Sequence, residues 1–232
     1  MEKQKIIIAL DVSTLKEEEY LLDILSPYVD IFKVGMELFY SCGPRAVDII
    51  KKYDKEIFLD LKFYDIPNTV YNAARSAVTL GVFMFNVHTS GGRDMMKKAI
   101  EGAEEESQKL GISRPKVLGV TVLTSMDESS LKEAGIDRHP GEQALSLAEL
   151  AKQAGLDGVV ASPREISDIR KISGQDFLIV TPGIRPEDSE KQDQKRTATP
   201  KEAVGSGADY IVIGRPVTKA KDPAAVIKNL LL

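Results

Sequence analysis

Ile57-Phe58-Leu59-Asp60-Leu61-Lys62 runs directly into Phe63-Tyr64-Asp65-Ile66-Pro67-Asn68-Thr69, and the reading of this stretch, IFLDLKFYDIPNT, decides the fold. Successive side chains of a strand face opposite ways. Leu59, Leu61 and Phe63 therefore share an apolar face, while Asp60 and Lys62 share a charged one. Asp65 falls where the strand gives way to a turn, and Pro67 suits the first turn of a helix. The next residues, TVYNAARSAVTLG from Thr69, carry the apolar spacing of an amphipathic helix. The stretch is thus one strand–helix unit.

The unit recurs along the chain. Further strand-like runs are IIIALD from Ile6, IFKVG from Ile31, VFMFNVH from Val82, KVLGVTVL from Lys116, GVVAS from Gly158, FLIVT from Phe177 and YIVIG from Tyr210. Amphipathic segments such as EEEYLLDILSPY and GEQALSLAELAKQAG lie between them. Eight such units in 232 residues predict a (β/α)8 TIM barrel, a single domain over residues 1–232. An open doubly wound sheet is the alternative architecture. Its dinucleotide-binding form lacks support, because no G-x-G-x-x-G follows the first strand.

Strand parity then sorts the other runs. Ile6, Ile8 and Leu10 oppose Ala9 and Asp11; Phe32 and Val34 oppose Lys33; Phe83, Phe85 and Val87 oppose Asn86 and His88. The apolar faces are expected on the helices and the polar faces inside the barrel, near the C-terminal strand ends where barrel active sites lie. Asp11, Lys33, Asp60 and Lys62 are accordingly expected to converge. Buried charges cost on the order of several kcal/mol each unless paired, and these four alternate in sign. A salt-bridged plug is the structural alternative. Leu and Val would fill a barrel at lower cost, so the four charges favour function.

Asp60, Lys62 and Asp65 read as an acid–lysine–acid cluster, and a lysine held between carboxylates stays protonated. It is then a poor Schiff-base nucleophile, which needs a lowered pKa, and a good proton donor. A neighbouring aspartate repels an anionic group on a substrate. Loss of CO2 followed by protonation of a carbanion suits that pair. Asp65 is open between capping the following helix and catalysis.

Two late segments have the character of anion binders: TPGIRPEDSEKQDQKRTATP after the seventh run and IGRPVTKA after the eighth. Barrels often bind phosphate with these two loops and a helix N-terminus. Gly214 would admit a phosphate to the backbone, and Arg215 and Arg185 would supply charge-assisted contacts. The alternative for each arginine is a solvated surface charge. The polar stretch from Gly183 to Arg196 has the length of a functional loop and fits a lid, with Arg185, Gln194, Lys195 and Arg196 able to reach an anion.

The bulk composition narrows the partners. Against 31 Lys and Arg stand 35 Asp and Glu, a net charge of −4, which disfavours a broad nucleic-acid or anionic-membrane surface. One cysteine, Cys42, excludes an internal disulfide, suits a reducing cytosol and is expected to be inert. The apolar run from Ile6 to Leu10 is too short for a signal segment or a membrane span, so a cytoplasmic protein is expected. His88, inward at the end of the fourth run, is expected to hydrogen-bond behind the reacting groups. His139, beside Pro140, is expected to be solvated.

FLDLKFYDIPNT resembles the D-x-K-x-x-D-I-P signature of the orotidine 5′-phosphate decarboxylase family. ALDV, FKVGMELF, NVHTSGG, VTVLTS, GLDGVVAS, VTPGIRP, the Asp193-Gln194 pair and VIGRPVT resemble the same family in the same order, closest to its shorter bacterial form. The resemblance spans nearly the whole chain. It implies decarboxylation of orotidine 5′-monophosphate to UMP without metal or organic cofactor. Asp60 is similar to the family's aspartate beside the substrate carboxylate, and Lys62 to its proton donor. Asp65 is similar to the second acid of the network, which enters the neighbouring subunit's site and makes the enzyme a homodimer. Asp11 and Lys33 resemble ribose ligands, with Lys33 also in the charge network. Thr69 resembles a ribose-side contact across the interface, and Thr124 the group reading the pyrimidine. Arg185, Gln194, Gly214 and Arg215 resemble the phosphate grip and lid. Two rivals share parts of this pattern. Related sugar-phosphate barrels, 3-keto-gulonate 6-phosphate decarboxylase and hexulose-phosphate synthase, use Mg²⁺ and carry a metal-binding glutamate where this chain has Lys33. A catalytically silent nucleotide-binding barrel would not need Asp60 and Lys62 intact.

Overall fold

Parallel strands covered on both faces need near-continuous apolar runs, and the eight runs form eight strands. They are β1 (Ile6–Ala9), β2 (Ile31–Gly35), β3 (Glu56–Phe63), β4 (Met84–His88), β5 (Lys116–Val120), β6 (Gly158–Val160), β7 (Leu178–Thr181) and β8 (Tyr210–Ile213). In this computed structural model, which describes residues 5–185 and 198–231, they pair in parallel and in sequence order, and β8 pairs back onto β1 to close the barrel. Ile7 stands opposite Ile31 on one side and Val212 on the other, so closure is complete at that level.

Helices return the chain between strands. These are α1 (Leu15–Leu25), α2 (Met36–Cys42), α3 (Arg45–Lys52), α4 (Pro67–Thr79), α5 (Gly92–Leu110), α6 (Glu128–Glu133), α7 (Pro140–Ala154), α8 (Ile166–Ser173) and α9 (Pro200–Gly205). After β8 come α10 (Arg215–Thr218) and α11 (Pro223–Leu231). Local chemistry sets several starts. The Thr14 hydroxyl accepts from the Glu17 N–H at 3.2 Å to cap α1. Thr199 and Glu202 form a capping box on α9. Pro67 occupies the first turn of α4, as its missing N–H allows.

Two apolar clusters follow the predicted parity. Ile6, Ile8, Leu10, Phe32, Val34, Leu59, Phe85 and Val87 pack outward with the helices. Ile7, Ile31, Phe58, Met84, Leu118, Val180 and Val212 fill the barrel itself. Phe83 departs from expectation: it packs with the inner cluster, its ring 6.4 Å from that of Tyr210. The cause is local. β4 starts only at Met84, so the pleat that would turn Phe83 outward has not begun. The fifth run also ends early, at Val120, which frees Val122 to Ser125 to line a cavity.

At the N-terminal end of the barrel, acids lock strand to strand. Asp157 accepts from the Val117 N–H at 2.7 Å and holds Arg114 through both oxygens. Asp209 ties β8 to β7 through one oxygen, Oδ2, which accepts from the Ile179 N–H at 2.7 Å and from Arg170 at 2.6 Å. This end is built for stability; the opposite end carries the site.

Candidate active site

The site begins with an irregularity in β3. Phe58 and Leu59 pair with Met84 and Phe85, but the next pair is Phe63 with Val87, so β3 carries two more residues than β4 across the interval. Lys62, inside it, adopts φ 52°, a left-handed conformation that costs a non-glycine residue on the order of 1–2 kcal/mol. An insertion of two residues leaves the two-residue side-chain alternation intact. Asp60 and Lys62 line the cavity at the mouth while Leu61 and Phe63 pack outward.

The expected charges meet. Lys33 Nζ lies 3.2 Å from Asp11 Oδ1 and 3.2 Å from Asp60 Oδ2, and Lys62 Nζ lies 2.7 Å from Asp60 Oδ1. Within one chain, then, the lysine held between two carboxylates is Lys33; Lys62 pairs with Asp60 alone among the described residues. The row Asp11–Lys33–Asp60–Lys62 sums to zero charge, which offsets much of its desolvation. Burial opposes the charge on Lys33, but Asp60 and Asp11 outweigh it and raise its pKa. Burial likewise opposes the Asp60 carboxylate, but Lys33 and Lys62 outweigh it and lower its pKa. Gly35 makes room for the row: a Cβ there would stand 2.9 Å from Lys33 Nζ.

Asn86, fully buried on β4, joins the same network. Its Nδ2 donates to Asp60 Oδ1 at 2.7 Å, and its Oδ1 accepts from the Lys62 backbone N–H at 2.8 Å. Parity placed Asn86 on the inward face, but it was not among the expected site residues; a buried amide beside an inward aspartate was the available signal.

A cavity of about 280 Å³ opens above the row. Asp11, Lys33, Asp60, Lys62, Thr124, Arg185, Gly214 and Arg215 all line it, together with Pro182, Gly183 and apolar residues of β5, β6 and β8. Arg185 is only 8% exposed, and Arg215 is half-buried at the start of α10, so the surface-charge alternative is overturned for Arg185. Gly214 precedes Arg215, and a Cβ there would lie 3.2 Å from Asp11 Oδ2. The loop after β7 thus faces the loop after β8 across the mouth. Gln194, Lys195, Arg196 and most of the expected lid lie outside the described residues.

Asp65 and Thr69 do not line this cavity. Both are exposed, at the edge where β3 passes into α4. Asp65 Oδ1 accepts from the adjacent Ile66 N–H at 2.6 Å, and Ile66, not Asp65, is the N-cap residue of α4. The capping alternative is therefore not what places Asp65. Tyr64 and Ile66 beside it are exposed as well.

His88 is half-buried at the end of β4, its ring edge-on to Tyr64 at 5.6 Å. Burial, and then the Lys62 ammonium, lower its pKa. His139 is exposed, and its Nδ1 accepts from the Gly141 N–H at 3.2 Å to cap α7. Cys42 Sγ donates to the Ser13 carbonyl at 3.6 Å. Among the described residues, no group of three or more His, Cys, Asp or Glu side chains is placed to hold a metal ion, and no helix is long and apolar enough to cross a membrane.

Fold and site together define a (β/α)8-barrel enzyme with a charged cavity at its C-terminal mouth. A sequence model described as the orotidine 5′-phosphate decarboxylase / HUMPS family matches residues 4–230. An orotidine 5′-phosphate decarboxylase of Moorella thermoacetica is 52% identical over 229 residues, 98% of this chain and 91% of that protein. One of Geotalea daltonii is 53% identical, covering 99% and 95%. The crystal structure of orotidine 5′-phosphate decarboxylase from Lactobacillus acidophilus superposes with a TM-score of 0.85 at 40% identity, over 98% of this chain and 97% of that one. The chain belongs to the orotidine 5′-phosphate decarboxylase / HUMPS family.

Proposed function

We propose that the protein decarboxylates orotidine 5′-monophosphate to UMP without a cofactor, with Lys62 as the proton donor. The observation that carries this reading is the row Asp11–Lys33–Asp60–Lys62 at one side of a cavity lined also by Arg185 and Arg215. The bond from pyrimidine C6 to the carboxylate breaks, and CO2 leaves. The electron pair stays on C6 beside the Lys62 ammonium, which gives C6 its proton and is reprotonated from solvent. With no electron sink, fixed charge must stabilise the carbanion, and Lys62 is the cation placed for it. Asp60 holds Lys62 and repels the substrate carboxylate.

Asp11 and Lys33 bind the ribose hydroxyls, and Thr124 reads the pyrimidine. Arg185, Arg215, the Gly214 backbone and Gln194 grip the phosphate. That remote contact supplies binding energy which drives closure and desolvation at the reacting end. Asp65 and Thr69 serve the site of a second copy in a homodimer, a reading supported by their exposure at the β3–α4 edge, away from their own cavity. The role in UMP synthesis and the single free cysteine suit a cytoplasmic location.

The family also includes sugar-phosphate enzymes that would need a divalent ion. Here the Lys33 ammonium lies between Asp11 and Asp60, where such an ion would find its carboxylates. Conversion of orotidine 5′-monophosphate is followed by absorbance, with and without chelator, in wild type and Lys62→Ala. Wild type should turn over equally in both, and Lys62→Ala should lose about ten-thousandfold or more while staying folded. Metal-dependent turnover of a sugar phosphate, or near-normal rates in Lys62→Ala, would overturn the reading.

A further inference from the structure

We infer that Asn86 is a positioning residue: the two ends of its side-chain amide fix, at once, the carboxylate of Asp60 and the backbone from which the Lys62 ammonium projects. This rests on the function proposed above and adds to it a residue that touches neither the cavity nor the substrate.

The need for such a residue arises in β3. Between Leu59 and Phe63 the ladder to β4 is interrupted by the two extra residues of β3. In a regular ladder the N–H of Lys62 would find a strand carbonyl. Here it donates to Asn86 Oδ1 at 2.8 Å instead. A buried N–H without a partner is rare because it is costly, so this bond also keeps Lys62 at φ 52°. The other end of the amide donates to Asp60 Oδ1 at 2.7 Å, the same oxygen that receives the Lys62 ammonium at 2.7 Å. Asp60 Oδ2 is left for Lys33 at 3.2 Å.

The partners fix the amide's orientation, since an ionised carboxylate only accepts and a backbone N–H only donates. They also restrict the residue type. Ser or Thr presents one oxygen, which cannot span both groups. Asp could accept from Lys62 but would set a second negative charge against Asp60. Leu fills the space and makes neither bond. Asn offers one donor and one acceptor at the required reach. It sits in register as well: two residues beyond the Phe58–Met84 pair, Asp60 and Asn86 are the adjacent inward positions of β3 and β4.

The test compares wild type with Asn86→Asp and Asn86→Ala. Both variants should lose about a hundredfold in kcat, the loss expected when a reacting group moves by about an ångström, with KM for orotidine 5′-monophosphate changed far less. In Asn86→Asp the acidic limb of the pH–rate profile should move to higher pH, because a carboxylate against Asp60 favours a shared proton. Carbon-13 NMR of the Asp60 carboxyl, without substrate, should show the same upward shift. Asn86→Asp is nearly isosteric and carries the test alone if Asn86→Ala does not fold.

Variants that melt earlier but keep wild-type kcat and pH profile would reduce Asn86 to a purely structural residue and end the proposal. If wild type fails to turn over orotidine 5′-monophosphate while the Asp60 titration still moves in Asn86→Asp, the proposed reaction falls and the positioning role stands. An unmoved Asp60 titration beside an active wild type removes the positioning role alone.

Discussion

Lys33 and Lys62 are the same side chain used in two ways. Lys33, 11% exposed at its side chain, is gripped from both sides by Asp11 and Asp60 and holds the row together. Lys62 keeps one carboxylate partner and a 25% exposed side chain that borders the cavity, so its ammonium can face a ligand. Alternation along IFKVG and along IFLDLK was enough to place Lys33 and Lys62 inward, because the pleat is a property of the strand itself. The left-handed turn at Lys62 was not legible, since it depends on how β4 pairs with β3. Arg215 is a residue-scale case at the other end of the cavity. A charge-assisted hydrogen bond contributes about 1.5–3 kcal/mol, so Arg215→Ala should weaken binding of UMP by about tenfold to a hundredfold. Calorimetry with UMP and with uridine checks it: an equal loss for both ligands would show that Arg215 does not read the phosphate.

On α1, Thr14 caps the first turn and Leu21, Leu22 and Leu25 face the core, yet Glu18 is buried on the same face. Neither carboxylate oxygen of Glu18 has a hydrogen-bond partner among the described residues. Burial, with Glu19 nearby, pushes its pKa from 4.5 up to about 8. The folded protein therefore holds a proton that the unfolded chain releases above about pH 4.5. Stability falls as pH rises from there to about 8, by on the order of 1 kcal/mol per pH unit. Asp60 acts in the opposite sense and in a lower window: its pKa is lowered from 3.8, so its contribution is lost only as pH falls below the ordinary carboxylate range. Urea unfolding at several pH values between 5 and 8 separates the two. Glu18→Gln should flatten the slope and gain most over wild type near pH 8; a gain that does not vary with pH would mean that Glu18 is not protonated in the folded protein. Periodicity marked this segment as a helix, and Glu18, three, four and seven residues before Leu21, Leu22 and Leu25, shares their face; only tertiary packing buries that face deeply enough to hold its proton.

The barrel as a whole brings together residues more than two hundred positions apart, Asp11 and Arg215 among them, because β8 pairs with β1. It also leaves Asp65, Thr69, Tyr64 and Ile66 outside the cavity that their own strand helps to build. If each site borrows Asp65 from a second copy, Asp65→Ala and Lys62→Ala damage different members of a shared pair. Mixed heterodimers should then contain some sites with both residues intact and recover a measurable fraction of wild-type turnover. Affinity-tagged heterodimers assayed with orotidine 5′-monophosphate test this, and no recovery in verified heterodimers would place Asp65 in its own chain's chemistry.

What the sequence by itself determined is what short-range physics encodes. The two-residue pleat sorted Asp11, Lys33, Asp60 and Lys62 from the apolar residues beside them, and eight alternating runs implied the barrel. Order along the chain put Arg185 and Arg215 after the seventh and eighth strands. Tertiary structure alone decided which charge meets which. It made Lys33 rather than Lys62 the lysine between two acids, turned Phe83 inward, buried Arg185 and enlisted Asn86. Those outcomes depend on the strand register and on the interruption between Leu59 and Phe63, which arise from pairing between segments distant in sequence and not from any one segment's pattern.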